Sequence, residues 1–395
     1  MLTTADRKKD LNLDVQDCAS LKKEIRDTYE RVIYMNTGSS GPVPYSFYRS
    51  LEKYKDDCHD FGPGALQSIM NLKANVSSLR NSISLMIGCG AESVALMHNT
   101  TDGINKAINS INWKNEDEIV IAYPEYISLM LPALRASKIY GAKLKIVPCD
   151  ENGDYLIDDI FSSVSRKTRM IIMSHVNYFN GTRNDVRKVC AFAREKGIIT
   201  LVDGAQAVGC IPVNVSEIGC DFYPFPAHKW LLGEEGAGAL YVSKEVLSDI
   251  TPPSLGYHSV SSYHPDKGYI LKPDASMFED ASFAYLSLYV FKRAIDFYLT
   301  SASSIQSEIS RLTTLLKKKI LEIPSVKLIT PLDFENSSGL ISFQQKEFSS
   351  LDTCEKLFTD FRIVARTIPF PDCVRASVHF FNTDDDINKL ISFLK

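Results

Sequence analysis

The chain has 395 residues, 45% of them hydrophobic and 23% charged, with a formal net charge of −4; this fits a globular protein with room for one large domain and a smaller one. The slight acidity provides no basic footprint of the kind that phosphate-backbone binding needs, so nucleic acid is not an expected partner. Nine scattered cysteines without a CxxC pair point away from a disulfide frame or a zinc site and toward reduced thiols in a cytoplasmic protein; no apolar run approaches the roughly 20 residues of a membrane span, and the start lacks a signal-peptide core.

In chain order, the charged segment "CASLKKEIRDTYERVIY" (18–34) is predicted to be helical. Apolar runs of strand length follow at 93–98, 118–124, 143–149, 168–176, 197–203, 220–226 and 238–243, with helical segments such as 127–140 and 185–196 between them. Unalternating Val/Ile-rich strands separated by helices predict a mostly parallel seven-stranded sheet buried on both faces. The link from Pro226 to Gly238 is too short for a helical crossover, so the last two strands are expected to pair antiparallel. From Tyr285 a long helix and then short strands and helices predict a smaller α+β domain. The expected division is 30–284 for the large α/β domain, and 1–29 with 285–395 for the small one.

Ligands of open α/β sheets gather at the carboxyl ends of the strands. After the first strand, "NTTDGIN" places Asn99, Thr100, Thr101 and Gly103 at a helix start, which reads as simple capping or as an anion site. "PEYISL" places Tyr126 at the next strand end, either as packing or as a ring laid over a ligand. "SHVNYFNGT" offers His175 and Asn177, and "VDGAQAVG" offers Asp203 and Gln206, where an Asp that ends a strand is also a common N-cap. Lys229, between His228 and Trp230 in "FPAHKWLLGEEGAGALYV", is either a lysine whose head reaches water along its stem or one that a buried site uses. The convergence of a phosphate-type helix start, an aromatic ring, an acid, an amide and a lysine is the set that pyridoxal 5'-phosphate requires. The lysine takes the cofactor aldehyde as a Schiff base, and the carboxylate keeps the pyridine nitrogen protonated.

With "YMNTGSSGPVP", "NTTDGIN", "PEYIS", "SHVNYFNGT", "LVDGAQAVG", "AHKWLLGEEGAGALYV" and "VRASVHFFNTDDDINKL" in this order, the chain resembles the class V aminotransferase family of fold-type I pyridoxal-phosphate enzymes, which includes cysteine desulfurases and isopenicillin N epimerase-like proteins. The resemblance implies Lys229 as the cofactor lysine, Asp203 as the pyridinium partner, Gln206 and Asn177 near the ring's phenolic oxygen, and Tyr126 stacked on the ring. It implies a phosphate site from Thr100, Thr101 and His228, completed by Ser282 of "MFEDAS" from the second subunit of a homodimer. Arg375 would hold the α-carboxylate of an amino acid substrate, with backbone amides of the loop Asn36 to Gly41, including Gly38, beside it.

Several positions depart from the family's pattern. Pro226 and Ala227 stand where Ser-Gly is usual, Glu234 stands where a proline is usual, and Ala281 with Ser282 replaces Gly-Thr. A desulfurase of the family needs a mobile, exposed cysteine shortly after Arg366. The only thiol of "ARTIPFPDCVRAS", Cys373, lies two residues before Arg375 and reads as a buried structural thiol. The expected activity is therefore transamination of an α-amino acid, with a carbon-sulfur lyase, desulfurase-like or epimerase-like activity as the alternative and a non-catalytic binding protein as the third reading. "NTDDDINKL" reads as a capped helix start, and no metal site is expected.

Overall fold

A computed structural model describes residues 17–395. Residues 1–16, which the sequence reading assigned to the smaller domain, lie outside the described residues. Helices of at least seven residues are α1 (Cys18–Thr28), α2 (Glu52–Phe61), α3 (Leu66–Ile87), α4 (Thr100–Asn109), α5 (Ile127–Tyr140), α6 (Ile157–Ser163), α7 (Val186–Glu195), α8 (Tyr285–Leu321), α9 (Ser350–Phe361) and α10 (Asp384–Leu394). Strands of at least three residues are β1 (Val94–Met97), β2 (Glu118–Tyr123), β3 (Lys143–Pro148), β4 (Thr168–Ser174), β5 (Ile199–Asp203), β6 (Phe222–Pro226), β7 (Gly238–Val242), β8 (Val260–His264), β9 (Gly268–Leu271), β10 (Val326–Leu328), β11 (Leu340–Gln345), β12 (Arg366–Pro369) and β13 (Asp372–Ser377).

Successive residues of a strand face opposite sides of a sheet, and the sequence of β1, β2 and β4 is apolar at both parities. Leu96, Val120, Ile171 and Met173 accordingly join one core with α3, α7 and the first half of α8. Their neighbours Ala95, Met97, Ile119, Ile121, Met170 and Ile172 join a second core with α4 and α5. The result is a seven-stranded sheet in the order β1-β7-β6-β5-β4-β2-β3. Only β7 runs against its neighbours, pairing antiparallel with both β6 and β1. The expected antiparallel pair is present, and the link that carries Lys229 is the connection between its two strands.

A third core is built mostly from the C-terminal part of the chain. The second half of α8 packs Leu312, Leu316 and Ile320 against Ile341 and Phe343 of β11, Val374 and Ala376 of β13, and Ile387 and Leu390 of α10. The antiparallel sheet in this core has the order β10-β11-β13-β12. At 37 residues, α8 is about 55 Å long and runs from the first core into the third. In α10 the Thr383 hydroxyl and the Asp386 carboxylate form a reciprocal capping box, in line with the capping reading of "NTDDDINKL".

Two sequence expectations need correction. The first predicted helix, 18–34, stops at Thr28, and Ile33–Tyr34 pairs in parallel with Ile363–Val364, because the β-branched end of the segment finds a strand partner more than 300 residues away. The large sheet is not buried on both faces throughout, because its edge strand β3 has a neighbour on one side only and is largely exposed. The stretch around His258 and His264 contains the hairpin β8–β9. Its strands are largely exposed, so no burial pattern marks them in the sequence.

Candidate active site

The carboxyl ends of β1, β2, β4, β5 and β6 open toward one region, and the polar side chains of the large sheet gather there. Lys229 follows β6 and is partly buried. Its Nζ stands 5.8 Å from the centre of the Tyr126 ring, and Tyr126 closes the turn between β2 and α5. Loss of hydration lowers the Lys229 ammonium to about 8; Asp203 attracts the proton and opposes the shift, while Arg375 and Arg366 add to it. Asp203 is buried at the end of β5, where it accepts from the Ala205 amide at 2.8 Å. Desolvation raises its carboxyl above the usual range, and the charge of Lys229 works against that rise. The charge of each group therefore opposes the desolvation that favours the neutral form of the other.

The start of α4 supplies the second component. Asn99 caps the helix by accepting from the Asp102 amide, so capping and an anion site are both features of this turn. The Thr100 hydroxyl is buried and unpartnered, and so is Nδ1 of His228. An unmatched buried hydroxyl at a helix amino terminus suits an anionic group. Thr101 is exposed, and its hydroxyl donates to Ser128 at 2.9 Å.

The third component comes from the smaller sheet. Arg375 on β13 is fully buried; burial lowers its guanidinium to about 10. It donates to the Tyr178 carbonyl at 2.8 Å and to Ser39 Oγ at 3.3 Å, while its Nε has no partner. Arg366 on β12 donates to the same Ser39 Oγ at 2.9 Å, and Ser39 donates to Asn36 Oδ1 at 2.7 Å. The Tyr178 ring lies 4.7 Å from the Arg375 guanidinium and 4.7 Å from the Tyr126 ring, which joins the arginine pair to the Lys229 cluster. The Asn36–Gly41 loop is held against the lysine by the Gly41 amide, which donates to the His228 carbonyl at 2.6 Å. A Cβ on Gly41 would lie 2.3 Å from the Lys229 carbonyl oxygen, so only glycine allows this approach.

The structure thus brings together Lys229, Asp203, Tyr126, His228, Arg375 and the loop with Asn36 and Gly38, with Thr100 at the start of α4. Gln206 and Asn177 make hydrogen bonds within the chain. Gln206 donates to the Gly38 carbonyl at 2.8 Å and accepts from Trp230 Nε1 at 2.9 Å, pinning the loop to the lysine segment. Asn177 donates to the Gly153 carbonyl and accepts from the Phe179 amide, which shapes the turn after β4. Ser282 is exposed and hydrogen-bonds the Tyr257 hydroxyl at 2.7 Å, a pairing that turns it toward the β8–β9 side of its own chain. Cys373 is buried on β13, and desolvation raises its thiol to about 12.

Sequence reasoning missed two participants. Ser39 is a small polar residue in a glycine-bearing loop, and nothing local marks it as the meeting point of two arginines. Glu125 is buried beside Tyr126, accepts from the Tyr126 amide at 2.8 Å, and accepts from the Ser174 hydroxyl at 2.9 Å and the Ser174 amide at 3.3 Å. The one signal that could have found it is a carboxylate at the end of a strand that the sequence marks as buried on both faces.

Known proteins resemble this chain in sequence and fold. The probable cysteine desulfurase of Methanothermobacter thermautotrophicus is 27% identical over 374 residues, covering 91% of this chain and 92% of the relative. The probable cysteine desulfurase of Borreliella burgdorferi is 27% identical over 406 residues, covering 96% and 94%. Among solved structures, a lysine-to-alanine mutant of C-DES with glycine covalently linked to its PLP cofactor superposes with a TM-score of 0.88 at 22% identity, covering 94% of this chain and 98% of that one. The complex of the cystine C-S lyase C-DES with its reaction product cysteine persulfide gives 0.85 at 23% identity, covering 92% and 97%. These likenesses establish the fold-type I architecture expected from the sequence. The family model described as Aminotransferase class-V matches residues 50–390, a span that includes the large sheet, the Lys229 link and both arginines, and the chain belongs to that family.

Proposed function

We propose that this chain binds pyridoxal 5'-phosphate at Lys229 and cleaves the carbon-sulfur bond of a cysteine-derived amino acid by elimination. The residues present fit the cofactor: the unpartnered Thr100 hydroxyl and His228 Nδ1 suit its phosphate, Tyr126 suits its ring face, and Asp203 suits its pyridine nitrogen. When bound, the cofactor supplies an electron sink for the electrons released at the substrate Cα.

The rest of the chemistry falls to the chain. Arg375 holds the α-carboxylate with its free Nε and the donor now shared with Ser39, and Arg366 adds a second cation at the same place. This fixes the Cα–H bond toward Lys229, whose amine, lowered to about 8, is neutral often enough near pH 7 to take the proton. Sulfur then leaves Cβ with the electron pair of the C–S bond, as a thiolate or persulfide, and the remaining three-carbon fragment hydrolyses to pyruvate and ammonia. Desolvation raises the Asp203 carboxyl, and the protonated pyridine nitrogen of the bound cofactor would hold it charged when Lys229 is neutral.

The observation that carries this reading is the state of Cys373. A desulfurase must pass sulfur to a thiolate of its own, but the only cysteine between Arg366 and Arg375 is buried with a thiol raised to about 12, so sulfur departs with the leaving group. The names of the relatives support a sulfur amino acid as substrate, and C-DES supports the elimination. Transamination, the activity first expected from the sequence, has no comparable support.

Incubation of the loaded protein with cystine and, separately, with cysteine tests the reading. Pyruvate, ammonia and persulfide from cystine without an added amino acceptor are expected. Alanine formed from cysteine would point to a desulfurase, and turnover only with an added keto acid would point to transamination. We also propose a homodimer in which the Tyr257–Ser282 hydroxyl pair, exposed in one subunit, faces the phosphate site of the other.

A further inference from the structure

Glu125 is an acid that the mechanism above does not use. It follows Pro124 at the end of β2, and its side chain reaches across to the end of β4 rather than to solvent. One oxygen accepts from the Tyr126 amide and the Ser174 hydroxyl, and the other accepts from the Ser174 amide. Ser174 is the register partner of Asp203 on the adjacent strand. A single carboxyl group therefore joins the backbone that carries the Tyr126 ring to the strand that flanks Asp203.

No basic side chain forms an ion pair with Glu125 among the described residues, and burial raises its carboxyl to about 7, with the charge of Asp203 adding to the rise. A buried acid with no cation partner is unfavourable for stability, whereas an apolar residue in its place would leave the Tyr126 and Ser174 donors unmatched. The three hydrogen bonds are what the carboxyl provides.

We propose that Glu125 is a positioning residue of the Lys229 site, tying the Tyr126 amide to Ser174 so that the Tyr126 ring is held over Lys229 and the end of β4 is held against Asp203. The proposal rests on the functional reading above for what the ring and the acid do, but its geometry belongs to the chain alone. Both oxygens of Glu125 are engaged by donors of the chain itself, and it acts through Tyr126 and through the strand end beside Asp203.

The test compares wild type with Glu125→Ala and Glu125→Gln in two measurements. The first is residue-resolved amide hydrogen exchange on the cofactor-free protein. In Glu125→Ala, exchange at Tyr126 and Ser174 is expected to accelerate at least about tenfold, because both amides lose their acceptor. In Glu125→Gln the carbonyl still accepts from Tyr126, but the amide group cannot accept from the Ser174 N–H, so only Ser174 is expected to accelerate.

The second measurement is the visible circular dichroism of protein loaded with pyridoxal 5'-phosphate, together with kcat and KM for cystine. Glu125→Ala is expected to change the dichroism and to lower kcat on the order of tenfold to a hundredfold with KM little changed, because a displaced ring misorients the reaction without removing a substrate contact. Exchange at Tyr126 and Ser174 within twofold of wild type in Glu125→Ala overturns the proposal. If that variant does not fold, Glu125→Gln decides, and unchanged exchange at Ser174 is the overturning result. A wild-type protein that takes up no cofactor would sink the functional reading, while the exchange measurement would still decide the role of Glu125 by itself.

Discussion

Arg366 and Arg375 donate to one and the same atom, the hydroxyl oxygen of Ser39, at 2.9 Å and 3.3 Å. Two like charges converge there without a carboxylate partner among the described residues, and Ser39 can accept from both only because its own proton goes to Asn36. The pair is thus set for an anion to arrive. Arg375→Lys keeps the charge but loses the planar fork, and it is expected to raise KM for cystine by about thirtyfold, the factor for about 2 kcal/mol. Steady-state kinetics across a range of cystine concentrations checks this, and an unchanged KM would remove Arg375 from the carboxylate site.

The lowered proton affinity of Lys229 has a definite sign. With its ammonium at about 8 instead of the ordinary lysine value, the neutral amine increases about tenfold for each pH unit up to about 8 and then levels off. Covalent uptake of pyridoxal 5'-phosphate, trapped with borohydride at successive pH values, is expected to follow that profile. Asp203 favours the protonated amine, so Asp203→Asn is expected to move the plateau to lower pH. A shift to higher pH would contradict the arrangement.

Cys373→Ser is expected to leave pyruvate formation from cystine within about threefold of wild type, since a buried thiol raised to about 12 is not a nucleophile at neutral pH. Loss of turnover in a variant that melts normally would return the desulfurase reading to first place.

Gly41→Ala places a methyl group 2.3 Å from the Lys229 carbonyl oxygen and 2.7 Å from Leu232 Cδ2. Backbone cannot move aside as a flexible side chain can, and overpacking of this kind costs about 1–3 kcal/mol. A lower melting temperature and weaker cofactor retention are expected, and a thermal melt with and without pyridoxal 5'-phosphate measures both.

The stability of the cofactor-free chain carries a signature of Glu125. Its native carboxyl at about 7 lies above the ordinary glutamate value, so the unfolded chain ionises first as pH rises. Relative to Glu125→Gln, wild type is expected to lose stability between roughly pH 4.5 and 7, by at most about 3 kcal/mol, and to change little above that. The groups facing this carboxyl are Asp203, the Cys149 thiol and the Tyr155 hydroxyl. The latter two are raised above their ordinary values and stay neutral through this range. Denaturant melts of the two proteins at pH 5 and pH 8 give the comparison.

The large sheet was legible because all its strands but the edge strand β3 are buried on both faces and therefore read as largely apolar runs; the structure trims their ends by a residue or two. Lys229, Asp203 and Tyr126 were legible because strand ends are where such a sheet presents its chemistry. Ser39, Glu125 and the engagements of Gln206 and Asn177 were not, because each is defined by partners distant in sequence: Ser39 meets Arg366 across 327 positions, and Gln206 meets Gly38 across 168. The hairpin β8–β9 escaped for the opposite reason: exposed strands carry no pattern of burial.

The bond from the Gly41 amide to the His228 carbonyl makes the carboxylate end and the amine end of the site one mechanical piece. The loop that stands beside Arg375 cannot swing outward without drawing on the residue next to Lys229, and Gln206 bolts it a second time from Gly38. On the function proposed above, a substrate meets a socket of fixed span between Arg375 and Lys229. Selection by length and shape then follows from the span of the socket itself.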